Sequence, residues 1–167
     1  MDGTRRGKLL LVEDEHLLRR LVAEFLRGEA FDVIEAADGL EGASLFETHG
    51  PFDLVLLDLN LPMLSGLDVC GRIKKEQPLQ PVLICSAAIL EDHLATLRDL
   101  DVDQFLTKPY HPLELLERVT RAISRGRLAR PSDRTQATSG SPWRVLGPHP
   151  GLPGRAGSGQ ATAMGLR

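Results

Sequence analysis

Residues 54–69 read LVLLDLNLPMLSGLDV. Four consecutive aliphatic side chains, Leu54 to Leu57, run straight into an acid, Asp58, and apolar residues then return at helical spacing as Leu67, Cys70 and Ile73. A strand that is apolar on successive positions is covered on both faces, as strands of a parallel sheet are. Pro62 and Gly66 mark a loop that leaves this strand sharply, and Ser65 is placed to cap the helix that follows.

The same alternation extends in both directions. KLLLV (8–12), FDVIE (31–35), DLVLL (53–57), PVLIC (81–85) and the weaker QFL (104–106) read as strands. Between and after them, Leu17, Leu18, Leu21, Val22, Phe25 and Leu26 fall three and four apart, as do Leu40, Ala43 and Phe46, then Leu94 and Leu97, then Leu113, Leu116, Val119 and Ile123. Gly28, Gly50 and Pro78 sit where three of these helices should stop. Five strand–helix units of this length predict an α/β fold, a doubly wound five-stranded parallel sheet with right-handed crossovers and helices on both faces.

Composition narrows the function classes. The chain has 167 residues, 42% hydrophobic and 26% charged, which is ordinary for a globular protein and too polar for a membrane protein. Aromatic residues are 4%, too few for a base-stacking surface on single-stranded nucleic acid. The N-terminal MDGTRRGK leads directly into LLLVEDE without an apolar stretch of signal-peptide type, so the chain reads as cytoplasmic. Cys70 and Cys85 have neither a CxxC spacing nor a histidine cluster beside them and read as two reduced thiols. Charge is unevenly distributed: residues 1–124 carry 13 Lys+Arg against 22 Asp+Glu, net −9, whereas residues 125–167 carry 7 Arg against Asp133 alone, net +6. That second segment also holds 8 of the 16 Gly and 5 of the 11 Pro, so it reads as a disordered tail following a folded body at 8–124, with 1–7 as a short N-terminal extension. The acidic body argues against specific nucleic-acid binding.

In a doubly wound sheet, ligands bind beyond the C-terminal ends of the strands. The polar residues there are Glu13 and Asp14 after the first apolar run, Asp58 after the third, Ser86 after the fourth and Lys108 after the fifth. Each alone has a plain structural reading: Asp14 as the cap of a helix starting near Glu15, Ser86 as a turn residue. Together they would crowd three carboxylates, which repel one another unless a cation lies between them, and a hard divalent ion such as Mg2+ is the economical one. A carboxylate is also a competent nucleophile towards phosphorus.

The words LLLVEDE, LVLLDLNLPMLSGLDV, PVLICSA and QFLTKPY, in this order and at these spacings, make residues 8–124 resemble the receiver domain of bacterial two-component response regulators, of the stand-alone, chemotaxis-regulator-like kind. The resemblance implies the flavodoxin-like strand order 2-1-3-4-5. It implies that Asp58 accepts a phosphoryl group from a histidine kinase or histidine phosphotransfer protein, and that Glu13, Asp14, Asp58 and the backbone carbonyl of Asn60 hold Mg2+. Ser86 and Lys108 would contact the phosphoryl oxygens, and Phe105 would be the switch aromatic. It further implies a cis Lys108–Pro109 bond and a downstream protein target bound through the fourth helix, fifth strand and fifth helix. Such a protein is a relay and binding module more than an enzyme.

Three departures stand out. Leu100-Asp101-Val102 replaces the glycine-containing turn common before the fifth strand, which puts Asp101 in a left-handed conformation. Phe105 stands for the commoner Tyr and Ser86 for Thr. Other readings are a phosphatase of the haloacid dehalogenase type, disfavoured because Asn60 stands where a second acid is wanted; the receiver part of a truncated DNA-binding regulator, for which the tail offers no helix-turn-helix pattern; and a docking receiver that takes no phosphate. His16, His93 and His111 read as surface residues.

Overall fold

Successive residues of a strand point to opposite faces of the sheet, so an apolar run such as Leu9-Leu10-Leu11-Val12 must bury both faces. The computed structural model describes residues 5–129, and there each face is covered by its own helices. The elements alternate as β1 (Gly7–Val12), α1 (His16–Gly28), β2 (Phe31–Ala36), α2 (Gly39–His49), β3 (Leu54–Leu57), α3 (Gly66–Glu76), β4 (Val82–Ser86), α4 (Glu91–Asp99), β5 (Phe105–Thr107) and α5 (Pro112–Ala129). The five strands form one sheet in the order β2-β1-β3-β4-β5, every neighbouring pair parallel. This is the sheet expected from the apolar runs and the order implied by the resemblance.

Leu9, Leu11, Leu54, Leu56, Leu83 and Cys85 pack with Val22, Ala23 and Leu26 of α1 and with Leu115, Val119 and Ile123 of α5. The alternate residues Leu10, Val12, Val55, Leu57 and Ile84 pack on the other face with Phe46, Val69, Cys70, Ile73 and Leu97 from α2, α3 and α4. Burial pushes the Cys70 thiol up to about 11 and the Cys85 thiol to about 12, so both stay protonated at neutral pH and behave as core residues.

Several boundaries differ from the sequence reading. Helix α1 ends at Gly28, as expected, but the left-handed residue of its exit is Ala30 (φ 67°). Asp14 does not cap α1; Glu15 occupies that position and makes no side-chain capping bond. Ser65 does cap α3, accepting from the Asp68 backbone N–H at 3.2 Å. Asp101 has φ 56° and the Lys108–Pro109 bond is cis, both as expected. His111 is exposed and His93 half-buried, and each accepts from a backbone N–H near a helix start, Leu113 at 3.2 Å and Leu90 at 3.4 Å.

The largest correction concerns where the folded body ends. Residues 125–129, expected in the tail, are the last turn of α5. Arg125 pairs with Asp103 at 2.8 Å, and Arg127 donates to the Arg6 carbonyl at 3.0 Å and lies 3.4 Å from Asp53. Gly126 sits so close to Pro81 that an added Cβ would fall 2.2 Å from its Cγ. At the other end Gly7 belongs to β1, and Arg5 and Arg6, expected in the extension, pair with Asp32 and Glu29. Residues 1–4 and 130–167, including the rest of the expected tail, lie outside the described residues.

Candidate phosphoryl-acceptor site

The sheet ladder continues one step beyond three of the strands, and that step sets the site. The backbone N–H of Glu13 bonds to the Ala36 carbonyl (3.1 Å), that of Asp58 to Val12 (3.1 Å) and that of Lys108 to Ser86 (3.0 Å). Residues far apart in sequence are thereby held side by side on one edge of the sheet. Glu13, Asp58 and Ser86 are buried, at 3%, 6% and 0% exposure, whereas Asp14 and Asn60 are exposed.

One carboxylate oxygen from each of Glu13, Asp14 and Asp58 lies within 4.8 Å of the others. The Lys108 ammonium reaches across this group, donating to Glu13 Oε2 at 2.5 Å and to Asp58 Oδ2. The other Asp58 oxygen, Oδ1, accepts from the Asn60 backbone N–H at 2.9 Å. Ser86 Oγ donates to the Ala88 carbonyl and accepts from the Asn60 side-chain amide, each at 3.3 Å. Every residue singled out at the strand ends therefore meets at one place, and the Asn60 amide adds a contact that sequence reading did not assign.

The charges explain the protonation tendencies. Burial raises the Glu13 carboxyl above its ordinary range, and the Lys108 hydrogen bond and charge only partly oppose it. Burial pulls the Lys108 ammonium down, but its bonds to Asp58 and Glu13, with their charges, outweigh that and raise it above its ordinary value. Clustered hard oxygen donors of this kind, two buried and one exposed, suit a divalent cation that keeps part of its water shell.

Phe105 opens β5, half-buried and packed against the α2–α3–α4 side of the core. Two structural devices were missed from sequence. Gly66 lies against the end of β3, so that an added Cβ would fall 2.0 Å from the Asp58 carbonyl oxygen; it is needed for this close approach, while the left-handed residue of the loop is Met63 (φ 67°). Arg19 of α1 donates to the backbone carbonyls of Glu13 and Asp14. Nothing in the helical pattern of α1 distinguishes Arg19 from its exposed neighbour Arg20.

A family model described as the response regulator receiver domain matches residues 9–120. The chain belongs to this family. The receiver domain is 35% identical over 125 residues to the alkaline phosphatase synthesis transcriptional regulatory protein PhoP of Bacillus subtilis (strain 168), covering 75% of this chain and 52% of that one. It is 34% identical over 127 residues to the transcriptional regulatory protein PdtaR of Mycobacterium tuberculosis (strain ATCC 25618 / H37Rv), covering 75% and 61%. The chain thus spans between half and two thirds of the length of these curated relatives. Among solved structures, a response regulator receiver domain protein from Clostridium thermocellum superposes with a TM-score of 0.67 at 28% identity, covering 73% of this chain and 98% of that one. A CheY-like receiver domain protein from Methanospirillum hungatei JF-1 gives a TM-score of 0.69 at 22% identity, covering 72% and 96%, a likeness of fold. No helix among the described residues is long and apolar enough to cross a membrane.

Proposed function

We propose that this receiver domain is a single-domain response regulator of a cytoplasmic two-component phosphorelay, accepting a phosphoryl group on Asp58 and switching its binding to a protein target. The observation that carries the reading is the convergence of Asp58 with two further carboxylates and one ammonium at a single sheet edge. An Asp58 oxygen bonds to phosphorus as the bond from phosphorus to a donor imidazole nitrogen breaks; the electron pair stays on that nitrogen and Asp58 becomes an aspartyl phosphate. Lys108, already bonded to Asp58, pairs with the phosphoryl oxygens, and Ser86 Oγ donates to one of them. Glu13, Asp14, Asp58 and the Asn60 carbonyl would hold Mg2+, which when bound neutralises charge on the phosphoryl oxygens.

The donor is a histidine kinase or histidine phosphotransfer protein. Phe105 couples the site to the surface of α4, β5 and α5, where the target docks. A second reading, the receiver part of a DNA-binding regulator, is supported by the transcriptional regulators among the relatives. Incubation with acetyl phosphate and Mg2+, followed by mass spectrometry, should add one phosphoryl group at Asp58 and none to Asp58→Asn. Equal labelling of that variant would overturn the assignment.

A further inference from the structure

Helix α1 starts beside the acidic pair without a capping side chain: the Glu15 carbonyl accepts from the Arg19 backbone N–H at 2.9 Å, but the Glu15 side chain makes no capping bond. The loop Glu13–Glu15 is tied down from the opposite direction. From the first turn of the helix, Arg19 Nη1 donates to the Glu13 carbonyl at 2.7 Å and to the Asp14 carbonyl at 3.3 Å. Its side chain is 12% exposed, and its Nε lies 3.7 Å from Glu35 Oε2 at the end of β2. Glu35 is anchored in turn: its Oε1 accepts from Arg27 Nη1 at 2.9 Å, and Arg27 Nη2 donates to the Val33 carbonyl at 2.7 Å. A guanidinium oriented by one carboxylate thus grips two successive carbonyls, and the residues owning those carbonyls supply two of the three clustered acids.

We propose that Arg19 is a positioning residue for the cation site: by fixing the backbone of Glu13 and Asp14 it preorganises their carboxylates and so sets the affinity for a divalent ion. The proposal rests on reading the acid cluster as a Mg2+ site. A loop that must be ordered on binding spends part of its binding energy on that ordering, and Arg19 removes the cost in advance. Charge alone predicts the opposite effect, since a cation near the site repels Mg2+ and its removal would tighten binding. A purely structural role predicts no change in affinity. The three possibilities therefore differ in sign.

The test is Mg2+ titration of the full chain by calorimetry, with amide NMR shifts at Asp58 and Asn60 as a second readout, for Arg19→Met, Arg19→Lys and Arg27→Met. Outer residues that orient metal ligands typically change affinity by about ten- to a hundredfold. Arg19→Met should weaken Mg2+ by about tenfold on that basis, and Arg19→Lys should recover only part, because an ammonium lacks the planar fork. Arg27→Met acts one step further out, through Glu35, and leaves both carbonyl bonds in place, so it should lower the metal-free melting temperature and weaken affinity by less than Arg19→Met, by about twofold. Unchanged or tighter binding by Arg19→Met, or equal weakening by Arg27→Met, overturns the proposal. Should Arg19→Met fail to fold, Arg19→Lys carries the comparison by the same criteria. A parent chain that shows no Mg2+ binding would instead overturn the cation site itself and this proposal with it.

Discussion

Lys108 places one ammonium between two buried carboxylates, and its effect on stability depends on which way that pairing moves its proton equilibrium. Its pKa is raised in the folded protein, so its contribution is fully present below the ordinary value of 10.5 and is lost as pH climbs through the higher native value. Urea midpoints measured from neutral pH into that alkaline range should fall more steeply for the parent than for Lys108→Met; parallel curves would show that the pairing contributes nothing. Asp14 behaves differently because it is exposed and its side chain makes no hydrogen bond among the described residues, while it adds negative charge to the cluster. Asp14→Ala should raise the metal-free melting temperature slightly and weaken Mg2+ binding, a pair of opposite changes that thermal melts with and without Mg2+ will separate.

At the scale of the element, two glycines act through close approach. A methyl group at Gly66 would collide with the backbone carbonyl of Asp58, which cannot rotate away as a side chain could. Gly66→Ala should therefore cost about 3 kcal/mol of unfolding free energy, at the upper end of ordinary overpacking, and should also slow phosphorylation by displacing the acceptor. Denaturant unfolding read beside acetyl phosphate labelling checks both. Gly126 makes the corresponding contact with Pro81 from the last turn of α5. Glycine raised the expectation of a tail there, yet in this helix it is the residue small enough to let α5 pass the loop before β4.

For the whole domain, the sheet carries one core on each face, and the clustered acids lie just past the C-terminal ends of its strands. On the proposed function, the signal travels from Asp58 through Ser86 and Phe105 to the α4–β5–α5 surface. A phenyl ring has no hydroxyl to desolvate, so its inward state should be populated before phosphorylation. Phe105→Ala should keep labelling at Asp58 and lose the phosphorylation-dependent NMR shifts on α4. Truncation locates the working unit: removing residues 130–167 should leave labelling and those shifts intact, whereas removing 126–167 takes away Gly126 and Arg127 and should lower the melting temperature by several degrees. Equal stability of the two truncated chains would contradict the packing of the last turn.

Local pattern was enough to reveal the alternation of strands and helices, because burial on both faces of a sheet demands consecutive apolar residues such as Leu54 to Leu57, and that demand is written in adjacent positions. The acids, Ser86 and Lys108 were legible for a related reason: each stands within two residues of the end of an apolar run. Strand order was not legible from periodicity, which carries no information about neighbours, and came only through resemblance to a family. Arg19, the Asn60 amide and the ends of α5 escaped because their meaning lies in partners distant in the chain. An arginine on a helix acquires a role only when two carbonyls lie within reach, and a glycine near a terminus is a linker or a packing contact according to what stands beside it. Those distances arise when the strands assemble and the helices pack on them, and no single stretch of sequence contains them.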